Sequence, residues 1–131
     1  MRLADLDYKT LPLVYSCSGC SSIAQLANQV AIEFDRENIA EMSCIAGVGG
    51  GVSQLVKKAQ SGREIISLDG CPLHCVKNCL AKQGVEATHH FTLTEYGIRK
   101  RMHLDYDKAD VKRIKAIVID QITSERELQL G

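Results

Sequence analysis

The chain has no tryptophan, only two phenylalanines and four tyrosines. Base-stacking platforms and aromatic interface anchors are therefore poorly supplied. Neither charge sign dominates, because sixteen Lys+Arg offset sixteen Asp+Glu. Dedicated nucleic-acid binders are usually clearly basic, so no nucleic-acid partner is expected. Long apolar runs are missing too, and no membrane span is expected. The opening MRLADLDYKT carries acidic residues and no apolar stretch before a small-residue cleavage site. It does not read as a secretory signal, and a cytoplasmic location is expected. Repeats, low-complexity segments and Pro/Gly/Ser linkers are absent, which points to a single domain over residues 1–131. The patterns G-x-S-x-G and H-E-x-x-H and a paired-carboxylate motif are also absent, so hydrolase chemistry has no support.

What is present is ordinary except for one residue type. Hydrophobic residues make up 45% and charged residues 24%, enough for a real core in a chain of 131. Six cysteines are too few for a small disulfide scaffold of that length. Clustered thiols in a reducing compartment point instead to metal or redox chemistry.

Short apolar runs alternate with amphipathic ones. Residues 11–16 (LPLVYS) read as a buried strand ending in the small, polar CSGCSS. Ser22 and Gln25 form an S-x-x-Q capping box, and Ile23, Leu26, Ala27, Val30, Ala31 and Phe34 recur at helical spacing. Residues 39–46 (IAEMSCIA) read as a second strand, ended by the glycines of GVGGG. Val52, Leu55, Val56 and Ala59 mark a second helix. Residues 64–68 (EIISL) make a third strand, and Pro72 suits the first position of a third helix stopped by Gly84. Residues 88–94 alternate like a fourth strand. Asp107 caps a last helix with the stripe Val111, Ile114, Ile117, Val118 and Ile122, and the polar tail from Ser124 is expected to fray. This order implies a Rossmann-like three-layer α/β domain, with a mostly parallel sheet flanked by helices on both faces.

In such sheets the functional crevice lies outside the carboxyl ends of the strands. Cys17 and Cys20 follow strand one, Cys44 lies near the end of strand two, and Cys71 closes strand three with Cys75 a helical turn later. Five of the six cysteines thus fall on one sheet edge. Cys17-x-x-Cys20 can bite one metal ion or form one disulfide. Cys71 and Cys75 flank a helix start, where unpaired amides and the dipole favour thiolates. Four sulfurs at strand tips would satisfy a closed tetrahedral metal site. The plainer reading makes Cys44 and Cys79 small buried hydrophobes.

Other features carry weaker signals. Gly47–Gly51 suit a small anion by letting backbone amides approach it, or they form a tight turn beside the thiols. Asp69 reads mainly as an acceptor of backbone N–H groups. His74 is within reach of the cysteines, whereas His89 and His90 must face opposite sides of a strand. Arg99-Lys100-Arg101 reads as a solvated face or as a patch for an acidic partner.

The run from Leu68 to Cys75 (LDGCPLHC), behind Cys17-Ser18-Gly19 and the segment from Cys44 to Gly51, resembles the DGC-domain family of small bacterial and archaeal proteins. That resemblance implies zinc held by four cysteines, which map onto Cys17, Cys44, Cys71 and Cys75. It implies no reaction. Cys20 and Cys79 exceed four and leave room for a second metal, an iron–sulfur cluster or a redox pair. The expected function is thiolate zinc binding at the sheet edge through a set drawn from Cys17, Cys20, Cys44, Cys71 and Cys75. The alternatives are a thiol–disulfide oxidoreductase with Cys17 as nucleophile and Cys20 as resolving thiol, and an iron–sulfur protein.

Overall fold

A computed structural model describes residues 8–130. Four strands, β1 (Leu13–Ser16), β2 (Glu41–Met42), β3 (Ile65–Asp69) and β4 (His89–Thr92), form one sheet in the order β2-β1-β3-β4. Every pairing is parallel. Helices α1 (Ser22–Arg36) and α5 (Lys108–Leu130) cover one face. The other carries α2 (Ile45–Gly49), α3 (Ser53–Ala59) and α4 (Cys75–Lys82). The expected three-layer α/β architecture is the observed one. No helix among the described residues is long and apolar enough to cross a membrane.

The core follows from strand alternation. Val14, Ile66, Leu68 and Phe91 point into the layer shared with Leu26, Val30 and Phe34 of α1 and Ile114 and Val118 of α5. Leu13, Tyr15 and Ile65 point to the opposite layer, against Val48, Ala59, Val76 and Leu80. Full burial of each large aliphatic or aromatic side chain contributes roughly 1.5–3 kcal/mol. The helix periods seen in sequence are therefore the faces that hold the domain together.

Several local expectations are corrected. The cap of α1 is Ser21, whose hydroxyl accepts from the Ala24 amide at 3.2 Å. Ser22 is occupied elsewhere, accepting from the Arg101 amide at 3.0 Å, and Gln25 donates to the Gly19 carbonyl. The second strand shrinks to two residues at the sheet edge, and the chain enters α2 directly after Cys44. Glycines make that helix fit. A Cβ on Gly47 would lie 2.0 Å from Leu55 Cδ1, and one on Gly49 would lie 2.7 Å from Cys79 Sγ.

The third helix begins at Cys75 rather than at Pro72. His74 is left-handed, with φ of 53°, and a residue in that conformation cannot continue a helix backward. The polar stretch from Ser124, expected to fray, continues α5 to Leu130. Arg126 donates to Glu64 at 2.7 Å, and Glu125 bonds the Nδ1 side of His89, tying this turn to the sheet.

Candidate functional site

The strand order reverses direction between β1 and β3. Crevices in doubly wound sheets open at this kind of switch point, outside the carboxyl ends. Here the loop after β1 carries Cys17 and Cys20, and the loop after β3 carries Gly70 and Cys71. The Cys17 amide donates to the Leu68 carbonyl at 3.2 Å, so the β1–β3 ladder runs straight into the site.

A cavity of about 180 Å³ lies between these loops and has Cys17, Cys20, Cys71 and Cys75 in its wall. Leu73, Lys100 and Met102 also border it. Cys44 is not in that wall. It stands exposed before α2, and Cys79 packs behind, against Gly49. The structure thus brings together four of the five candidate thiols and leaves Cys44 apart.

Asp69, Gly70 and Cys71 have separate jobs. Asp69 is fully buried, and its carboxylate accepts from the Val76 and Lys77 amides at 2.8 and 3.1 Å. It caps α4 from the preceding strand, since His74 gives no side-chain cap. Gly70 has no room for a side chain, because a Cβ would lie 2.9 Å from Ile23 Cγ2 and 3.0 Å from the Ile23 backbone. That close approach aims its amide at Cys17 Sγ, 3.2 Å away. Cys71 then presents its thiol to the cavity.

A segment that sequence reasoning did not place is the strap over residues 97–103. It crosses the carboxyl edge after the 3₁₀ turn Leu93–Tyr96. Met102 forms an antiparallel bridge with Ser21, the His103 amide donates to the Cys20 carbonyl, and the Ser22 amide donates to the Arg101 carbonyl. These bonds fix the CxxC loop. They also bring Lys100 Nζ to 3.4 Å from Cys71 Sγ. The only sequence signal was the basic run itself.

His74 turns to the other side of the β3–β4 edge. Its Nε2 pairs with Thr92 Oγ1 at 3.0 Å, and its ring meets the edge of His90 at a centroid distance of 5.1 Å. His90 Nε2 lies 3.1 Å from Asp69 Oδ2. His89 is buried on the opposite face, as the strand alternation required.

At the start of α4 the Val76 and Lys77 amides are taken by Asp69. Burial pushes the Cys17 thiol up to about 11, against the Gly70 amide, and Asp69, Cys75 and Cys71 add to the rise. Burial also raises Cys79, with Cys75 and Asp69 contributing. A soft cation or a nearby ammonium would reverse that penalty. The four-sulfur donor set fits a thiophilic ion in kind and number. Its spacing does not converge on one point, for no three His, Cys, Asp or Glu side chains among the described residues are arranged to hold a metal ion.

The chain is 60% identical over 104 residues, 79% of each chain, to the anaerobic and virulence modulator AnvM of Pseudomonas aeruginosa. No solved structure matches it. The family model described as the DGC domain matches residues 13–118, from the start of β1 into α5, and the chain belongs to that family.

Proposed function

We propose that this chain is a regulatory protein that binds a thiophilic metal ion, zinc first, through Cys17, Cys20, Cys71 and Cys75. The observation that carries this reading is the gathering of four of six cysteines in the wall of one cavity at the switch point. A site filled by four protein sulfurs leaves no open position, which suits a structural or sensory role rather than turnover. The related AnvM is named a modulator, which fits the same role. Six free cysteines suit a reducing, cytoplasmic compartment.

The chain's own groups favour such a site once the sulfurs draw together. The Gly70 amide already donates to Cys17 Sγ, and the Lys100 ammonium beside Cys71 offsets thiolate charge. With Cys17 at about 11, binding must displace its proton, so affinity should rise with pH across the neutral range. Cys20 takes the fourth position that the family resemblance gave to Cys44.

A panel of single Cys→Ser variants, purified without oxygen and assayed for metal by elemental mass spectrometry, tests the ligand set. Cys17, Cys20, Cys71 and Cys75 variants should each lose most of the zinc, and Cys44→Ser and Cys79→Ser should retain it. Metal loss confined to Cys44→Ser would overturn the assignment.

The absence of a converged triad favours a second reading, because a dithiol needs only two sulfurs. Cys17 and Cys20 would form a disulfide while an external disulfide is reduced to two thiols, two electrons and two protons passing between them. In this reading the roles are the reverse of those expected from sequence. Cys20 is exposed, whereas Cys17 is half-buried and held in its thiol form. Cys20 is then the attacking thiol. Stoichiometric Cys17–Cys20 disulfide on mild oxidation of metal-free protein would favour this reading over the metal site.

A further inference from the structure

Away from the thiols, α4 and the β3–β4 edge enclose a larger cavity of about 440 Å³. That volume lies within the range of small-molecule sites. Ser67 is part of its lining. Ser67 is wholly buried, and its hydroxyl has no hydrogen-bond partner. A buried hydroxyl left unpaired is costly, and a polar group arriving through the cavity would relieve it. Ser67 sits opposite His90 in the β3–β4 register, so both side chains take the same face. His90 Nε2 donates to the Asp69 carboxylate, which holds the ring beside Ser67 in the cavity wall. Lys77, in the first turn of α4, borders the same end.

The rest of the wall is different. Leu80 and Val85 give it an aliphatic middle, and Glu86 stands beyond the last turn of α4. Lys77 stands in the first turn of α4 and Glu86 past its last residue, so the two charges border the cavity at opposite ends of the helix. The cavity therefore has a cationic, hydrogen-bonding end, an apolar body and an anionic far end.

We infer that this cavity binds a small monocarboxylic acid, with its carboxylate at Ser67 and Lys77 and its aliphatic body against Leu80 and Val85. Glu86 supplies selectivity, because a second carboxylate at the far end would meet its charge. The cavity shares no lining residue with the thiol cavity.

The test is a titration of the full-length, isotope-labelled chain with sodium hexanoate, followed by amide NMR shifts against a matched sodium chloride control. Hexanoate should give saturable shifts at Ser67, Leu80 and Val85 with a millimolar Kd, the range a ligand of this size can reach. Adipate, of equal carbon length with a second carboxylate, should bind about tenfold more weakly, and Glu86→Gln should narrow that gap. Ser67→Ala and the exposed Lys77→Gln should each weaken hexanoate severalfold, and Cys17→Ser should leave it unchanged. Ser67→Ala removes an unpaired hydroxyl, so its melting temperature should hold and report an intact fold. Absence of saturable shifts at these amides, or equal binding to wild type and to the Ser67→Ala/Lys77→Gln double variant, would overturn the proposal.

Discussion

Gly70 is the residue on which the site's geometry turns. Its missing side chain lets the β3 loop touch the Ile23 backbone, and this contact aims its amide at Cys17 Sγ. Gly70→Ala should cost about 1–3 kcal/mol, as overpacking does, visible as a lower urea midpoint at unchanged slope. A midpoint equal to wild type would contradict the close-approach argument. Asp69 acts on both the helix and the thiol. Asp69→Asn should weaken the cap of α4 by about 1 kcal/mol. It should also lower the Cys17 pKa from about 11, because Asp69 is among the charges that raise it. Alkylation mapped by peptide mass spectrometry at pH 8 checks this. Cys20 should react well before Cys17, of which about one molecule in a thousand is thiolate at that pH, and Asp69→Asn should speed Cys17. Much of this was legible in the sequence. Strand–loop boundaries put Cys17, Cys71 and Cys75 at one edge, and Asp69 reads as an amide acceptor. Cys44 stands outside the cavity wall, and its place was not legible because a two-residue edge strand and the turn into α2 leave no periodicity to read. Lys100 was hidden because its partner Cys71 is 29 residues away in the chain.

Helix α5 shows the same limit at the scale of an element. Its apolar stripe was plain, and Val111, Ile114, Val118 and Ile122 are buried as expected. The polar end read as a frayed tail because its partners, Glu64 and His89, lie far back in sequence. His89 is buried with a carboxylate at each ring nitrogen, Glu64 at 2.6 Å from Nε2 and Glu125 at Nδ1. Burial alone would raise Glu64, but hydrogen bonds from Arg126 and His89 outweigh it and hold the carboxyl below its usual 4.5. Glu125 is lowered first by Gln121 and then, against burial, by His89. Groups with depressed folded-state pKa values stabilise the fold above their ordinary pKa and lose that contribution as pH falls through the lowered value. The urea midpoint should therefore hold from pH 7 to about 5 and fall below about 4.5, with a smaller fall in a Glu64→Gln/Glu125→Gln variant. Deleting the last eight residues, from Ser124, should lower the melting temperature, and an unchanged value would show that the clamp contributes nothing.

The whole molecule is organised by its strand order. Placing β1 and β3 side by side brings together two loops more than fifty residues apart, and the strap over residues 97–103 crosses them from a third direction. Alternating strands and helices in the sequence were enough to give the three layers and the edge that carries the thiols. They could not give the strap, which has no regular structure of its own, nor the spacing between sulfurs. The proposed metal site at the carboxyl-edge thiols rests on occupancy. The most direct measurement is the metal-to-protein ratio of the tag-free chain, purified without oxygen and analysed by elemental mass spectrometry, alongside a count of reactive thiols. About one zinc per chain is expected, with four of the six thiols protected until a chelator is added. A metal-free chain in which Cys17 and Cys20 pair on mild oxidation would contradict it.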